Sequence, residues 1–120
     1  MHLDVNDKAC LWDMLDAART ILGFIEGRNF TEYLSNRMLR NAVERNLEII
    51  GEAAKSVSEP VRSAYPQIPW KSIIAQRNVL AHEYGEIRHE RLWLVCTRDI
   101  PQLIQTVERM GVEESAGEIE

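Results

Sequence analysis

Leu11, Leu15, Ala18, Leu22 and Ile25 follow steps of 4, 3, 4 and 3 along the chain. That spacing lays one apolar stripe on a helix. The stretch "EGRN" then interrupts it, with Gly27 placed as a left-handed C-terminal cap. A second stripe starts near "FTEYLSNRM" and runs through Leu39, Val43, Leu47, Ile50 and Ala54 to about Val57. It predicts one long helix of roughly 25 residues. Gly51, Ala53 and Ala54 lie near its end, and residues this small let another helix come close.

"SEPVRSAYPQIPW" breaks the pattern, because Pro60, Pro66 and Pro69 cannot sit inside a regular helix. Pro60 suits the first turn of a short helix, so one extra helical turn is expected around residues 59–65. A third helix follows from about Trp70 to His82, with Gly85 as a left-handed cap beyond it. The fourth, about Ile87 to Met110, carries Leu92, Cys96, Leu103, Val107 and Met110, with a kink expected at Pro101. No segment alternates as a strand does. The expected fold is all-α: an antiparallel four-helix bundle in one domain, residues 1–112, followed by a tail at 113–120.

Charge changes the picture only locally. The net charge is −5, which argues against broad non-specific nucleic-acid binding. The terminal "EESAGEIE" supplies four acids and no base, so the body is closer to neutral and the tail is expected to be disordered. The basic residues are mostly arginine, which suits forked contacts to phosphate. Cys10 and Cys96 lack metal-site spacing and are expected to be buried small apolar residues. No metal or other cofactor is expected. No apolar run approaches the roughly 18 residues of a membrane span, and the polar, acidic start is unlike a secretory signal. A cytoplasmic protein is expected.

The candidate chemistry lies in "RNVLAHEYGEI", residues 77–87. On a regular helix Arg77 and His82 stand about 140° apart, whereas Asn78 and His82 share a face, so Asn78 is expected to support the His82 ring. If the helix ends at His82, the chain leaves it extended and Tyr84 returns toward the same site. Histidine can move a proton near neutral pH, and arginine can stabilise the charge of a phosphoryl transition state. RNA brings its own nucleophile, the 2′-hydroxyl, so a metal-free ribonuclease needs mainly a base, an acid and a cation. One chain offers one such histidine; a two-fold dimer offers two, and a composite site is expected. The plainer reading is a helix end whose dipole favours His82, with Arg77 paired to an acid on a neighbouring helix.

Glu52 is a candidate to orient Arg77 or His82 from the second helix, and Glu48 shares its face. Arg37, Arg40 and Arg45 are candidates for RNA phosphates or for surface ion pairs. His89 reads as an exposed helix residue. Trp12, Trp70 and Trp93 read as core or interface anchors.

Four blocks, "NAVERNLEIIGEAAK", "IPW", "RNVLAHEYGEI" and "LWLVCTRDIPQLI", resemble the HepT family of HEPN-domain proteins over about residues 7–110. The resemblance implies a HEPN helical bundle and a homodimer whose signatures face each other across the interface. It implies a toxin–antitoxin toxin, a metal-independent ribonuclease cutting cellular RNA, with tRNA a candidate substrate. Arg77 and His82 would form the catalytic pair, with Asn78 as the polar residue after the arginine. It further implies that an MNT nucleotidyltransferase antitoxin silences the toxin by attaching AMP to Tyr84. The alternative is a non-catalytic dimer that serves as binding partner of a minimal nucleotidyltransferase.

Overall fold

A computed structural model describes residues 3–82 and 87–113. Among them there are helices and no strands, as the periodicity predicts. Helix α1 (Val5–Ile25) opens on Asp4, whose side chain accepts from the Asp7 amide at 2.7 Å. It stops before Gly27, whose φ of +73° is the left-handed conformation that favours glycine.

The single long helix expected next is two helices. Helix α2 (Phe30–Ser35) is started by a reciprocal cap between Asn29 and Glu32. Asn36 then leaves helical geometry (φ −110°, ψ 96°), and its side chain accepts from the Leu39 amide at 3.0 Å. Asparagine competes with the helix in this way, ending one segment and capping the next. Helix α3 (Arg37–Ser56) follows. The break turns Tyr33 fully into the core, against Phe30 and Trp93.

Helix α4 (Glu59–Ala64) is the short turn expected around 59–65. The start of α1 is tied to the end of α3 by buried Asp7, which accepts from both the amide and the hydroxyl of Ser58 at 2.7 Å each. Those contacts make α1 and α3 antiparallel. Helix α5 (Trp70–His82) starts at Trp70, whose indole N–H donates to the Tyr65 carbonyl at 3.0 Å and whose ring is buried. Gly51 near the end of α3 meets Ile73 and Arg77 on α5.

The last rod is three pieces: α6 (His89–Leu94), a π-turn (Val95–Asp99) and α7 (Ile100–Arg109). Pro101 has no N–H to give to the preceding turn, and the ladder widens, with the Ile100 amide donating to the Val95 carbonyl. Buried Leu92, Cys96 and Ile100 are spaced 4 and 4, one residue more than two α-helical turns use, and the wide turn absorbs the excess. This is the form taken by the kink expected at Pro101.

The core lies where α1 packs on α3 and α7, with α5 on the far side of α3. Leu39, Val43, Leu47 and Ile50 form the buried face of α3; each such side chain stabilises by about 1.5–3 kcal/mol. By contrast α5 buries only Trp70 and Leu80 fully, which leaves much of its surface free. Cys10 and Cys96 are both buried, as expected. Trp12, expected as an anchor, is 39% exposed on α1. Among the described residues no helix is long and apolar enough to cross a membrane. The expectation of a disordered tail falls on residues 114–120 and lies outside the described residues, apart from Glu113, which pairs with Arg19.

Candidate functional site

The site is built on the contact between α3 and α5. A Cβ placed on Gly51 would lie 2.1 Å from Arg77 Cβ, 2.8 Å from Arg77 Cγ and 3.1 Å from the Ile73 carbonyl oxygen. Only a residue without a side chain lets the stem of Arg77 cross α3 this closely. The guanidinium then lies along α3, with its side chain 23% exposed. Nη2 is 3.6 Å from Glu52 Oε1, and Nη1 donates to Asn78 Oδ1 at 3.2 Å. Nε is buried and has no partner among the described residues. Arg45 supports the acids from the other side, 3.5 Å from Glu48 and 4.0 Å from Glu52.

Glu52 is therefore beside Arg77, one of the two roles open to it from sequence. Asn78 differs from expectation: its amide oxygen is taken by Arg77, and among the described residues no hydrogen bond joins it to His82. The shared face of Asn78 and His82 fixed direction but not reach. His82 is exposed on the last described turn of α5, a position the helix dipole favours for a cation. The helix is regular through His82, so Arg77 and His82 diverge by about 140° within one chain. Tyr84 and Gly85, with the expected helix exit, lie outside the described residues.

Two further side chains near this end were not found from sequence. His89 was expected to be an exposed helix residue. It is half-buried at the start of α6, with Nδ1 3.9 Å from Glu44 Oε2 on α3. Burial raises the Glu44 carboxyl above its ordinary range, against the pull of His89 and Arg40. From the Gly51–Arg77 contact, Glu44 lies about 10 Å back along α3 and His82 about 8 Å on along α5. His89 opens α6, seven residues after His82 ends α5. Seven residues separate Glu44 from Gly51, a whole number of turns within about 20°, and this spacing was the available signal. Beside the pair, the Tyr33 hydroxyl is buried without a partner among the described residues, and desolvation pushes its pKa up. Burial likewise pushes the Cys96 thiol up to about 12.

Of the three arginines considered for phosphate contact, Arg40 donates to the Leu34 carbonyl and Arg45 faces Glu48 and Glu52, while Arg37 is exposed. Among the described residues no group of three or more His, Cys, Asp or Glu comes together as a metal site. Chemically, the arrangement offers a cation braced beside the Glu52 carboxylate and, further along α5, an exposed imidazole.

The family model described as ribonuclease HepT-like matches residues 14–110. A Methanocaldococcus jannaschii protein named "Putative RNase" is 38% identical over 101 residues, covering 84% of this chain and 93% of the relative. A second protein of that organism with the same style of name is 34% identical over 113 residues, covering 94% and 93%. A Thermococcus cleftensis protein named "Probable ribonuclease HepT" is 33% identical over 105 residues, covering 88% and 96%. No solved structure matches the chain significantly. The matched region runs from α1 to the end of α7 and includes Gly51, Glu52, Arg77 and His82, so this chain belongs to the HepT-like ribonuclease family.

Proposed function

We propose that the protein is a metal-independent endoribonuclease, the toxin of a HEPN/MNT toxin–antitoxin pair, with Arg77 and His82 as its catalytic residues. The observation that carries this reading is the bracing of Arg77: Gly51 admits its stem, and Glu52 and Asn78 hold its head. A fixed guanidinium stabilises the charge that develops on a phosphoryl group as its bonds change. His82 takes the proton from the 2′-hydroxyl; the 2′-oxygen attacks the adjacent phosphorus; the bond from phosphorus to the 5′-oxygen breaks. The leaving oxygen takes a proton, and the products end in a 2′,3′-cyclic phosphate and a 5′-hydroxyl.

The second proton carrier is His82 of a second copy. Within one chain Arg77 and His82 point apart, and juxtaposing two copies about a two-fold axis supplies base, acid and cations together. The MNT nucleotidyltransferase silences this site by attaching AMP to Tyr84, two residues from His82, where the added phosphate would pair with the site's own arginine. The protein works in the cytoplasm, where its RNA substrate and the nucleotidyltransferase are found.

Expression without the antitoxin tests the reading. The wild-type chain is expected to arrest growth and fragment RNA, while His82→Ala and Arg77→Ala do neither. Equal growth and intact RNA in all three would leave only a non-catalytic partner of the transferase. After co-expression with the transferase, each adenylate is expected to add about 329 Da, and the gain should vanish in Tyr84→Phe.

A further inference from the structure

Beside α5, on the edge away from Glu52, lies an open groove of about 420 Å³. Ser72 and Gln76 form one wall; Arg91, Leu94, Arg98 and Asp99, from α6 and the π-turn, form the other. Arg91 and Arg98 are exposed, and among the described residues neither has an ion pair. Arg28, Arg37, Arg40, Arg88 and Arg109 also lack an ion pair among the described residues, but Arg91 and Arg98 share one groove. In a chain of net charge −5, two uncommitted arginines in one concavity mark a local anion site.

We propose that this groove holds the phosphate backbone of single-stranded RNA and leads it to His82. The proposal rests on the ribonuclease reading and adds the path of the substrate. Seven residues separate the two arginines, about 10 Å along a helix, so they meet different phosphates of one strand. The Ser72 hydroxyl and Gln76 amide are neutral groups of the kind that contact phosphate and sugar. Leu94 is 48% exposed and gives the strand an apolar surface beside the charges. Asp99 repels phosphate and accepts from hydroxyl or amino groups, which keeps the phosphates at the two arginines. From Ser72 the outer face of α5 leads to His82, 80° around the helix and about 15 Å along it. A strand leaving the groove reaches His82 within a few nucleotides. An acidic protein surface would also be drawn to the arginines, but a groove that leads along α5 toward a proton carrier suits a flexible strand better.

The test uses the full chain in the His82→Ala background, which binds without cutting, and a labelled single-stranded RNA. Affinity is read by fluorescence anisotropy across a salt series. Each phosphate contact contributes a slope of about 0.7 in log affinity against log salt for single strands. Arg91→Gln with Arg98→Gln should therefore lower the slope by about 1.4, a loss of about 25-fold at 0.1 M salt that fades toward 1 M. Arg91→Lys with Arg98→Lys should keep the slope, and Arg109→Gln at the end of α7 should match the parent. Unchanged affinity and slope in the double Gln variant, with the otherwise wild-type chain still cutting the same RNA, would overturn the groove alone. If the double Gln variant loses only its complex with the transferase, the groove belongs to that protein and the proposal fails. A wild-type chain that neither binds nor cuts RNA would overturn the ribonuclease reading and this proposal together.

Discussion

Gly51→Ala is the sharpest probe of how the site is positioned. The new Cβ would stand 2.1 Å from Arg77 Cβ, an atom fixed to the backbone of α5 that cannot rotate away. Ordinary carbon–carbon contact needs about 3.5–4.0 Å, so α5 must move out by about 1.5 Å or tilt. Two energies oppose each other. Alanine in place of glycine favours an isolated helix by about 1 kcal/mol, while overpacking costs about 1–3 kcal/mol. The net is a loss of about 0–2 kcal/mol, small enough for the variant to fold. Activity should fall much further, because a displacement near 1 Å can cost about 100-fold when a catalytic group must be held in place. Denaturant unfolding and RNA cleavage on the same samples measure both. Gly23→Ala is the control: Gly23 is an exposed helical position with nothing within 4 Å of an added Cβ, and it should gain about 1 kcal/mol with activity unchanged. A Gly51→Ala chain that gains stability like the control and cuts RNA at full rate would refute the tight crossing.

Three further outcomes follow from the packing. Asp7→Ala should lose about 3 kcal/mol in urea unfolding, because it strips the amide and hydroxyl of Ser58 of a charged acceptor; a loss below about 1 kcal/mol would mean water replaces it. Burial holds Glu44 above its ordinary value of 4.5, so the unfolded chain ionises it first. The folded state then carries the extra proton, and stability falls as pH rises from 4.5 through the raised folded value. Glu44→Gln should flatten that fall, and parallel curves for the two proteins would refute it. The Cys96 thiol, pushed up to about 12 and fully buried, should resist a thiol reagent at pH 8 in the native protein and react once unfolded; rapid native labelling at Cys96 would show that the π-turn opens readily.

The sequence carried the helix faces and the start of α5, because the 3.6-residue period and proline act locally. It hid features set by competition or by distant partners. Asn36 sits inside an unbroken apolar period, so the stripe reads through it; the side chain nonetheless captures the Leu39 amide and splits the helix. The apolar spacing 92, 96, 100 followed by Pro101 did record the π-turn, as an excess residue that a plain count of helical steps averages away. At the site, the sequence offered Glu52 as a partner for Arg77 or His82 but could not choose, because the Gly51 crossing that brings it to Arg77 joins residues 26 apart. The placement of His89 against Glu44 could not be read, since the two lie 45 residues apart on different helices and no local pattern pairs them. Asp7 looked like one more acid in a polar N-terminus; its partner lies 51 residues away.

The central claim is a ribonuclease site to which two chains each contribute His82, and mixing measures it directly. Wild-type and His82→Ala chains are unfolded together, refolded at varied ratios, and assayed for cleavage of a single-stranded RNA. If each site needs both histidines, activity follows the square of the wild-type fraction, about a quarter of full activity in an equal mixture. Activity that falls in simple proportion to the wild-type fraction would show that one chain cuts alone and would contradict the composite site, and no cleavage by the pure wild-type protein would contradict the ribonuclease itself.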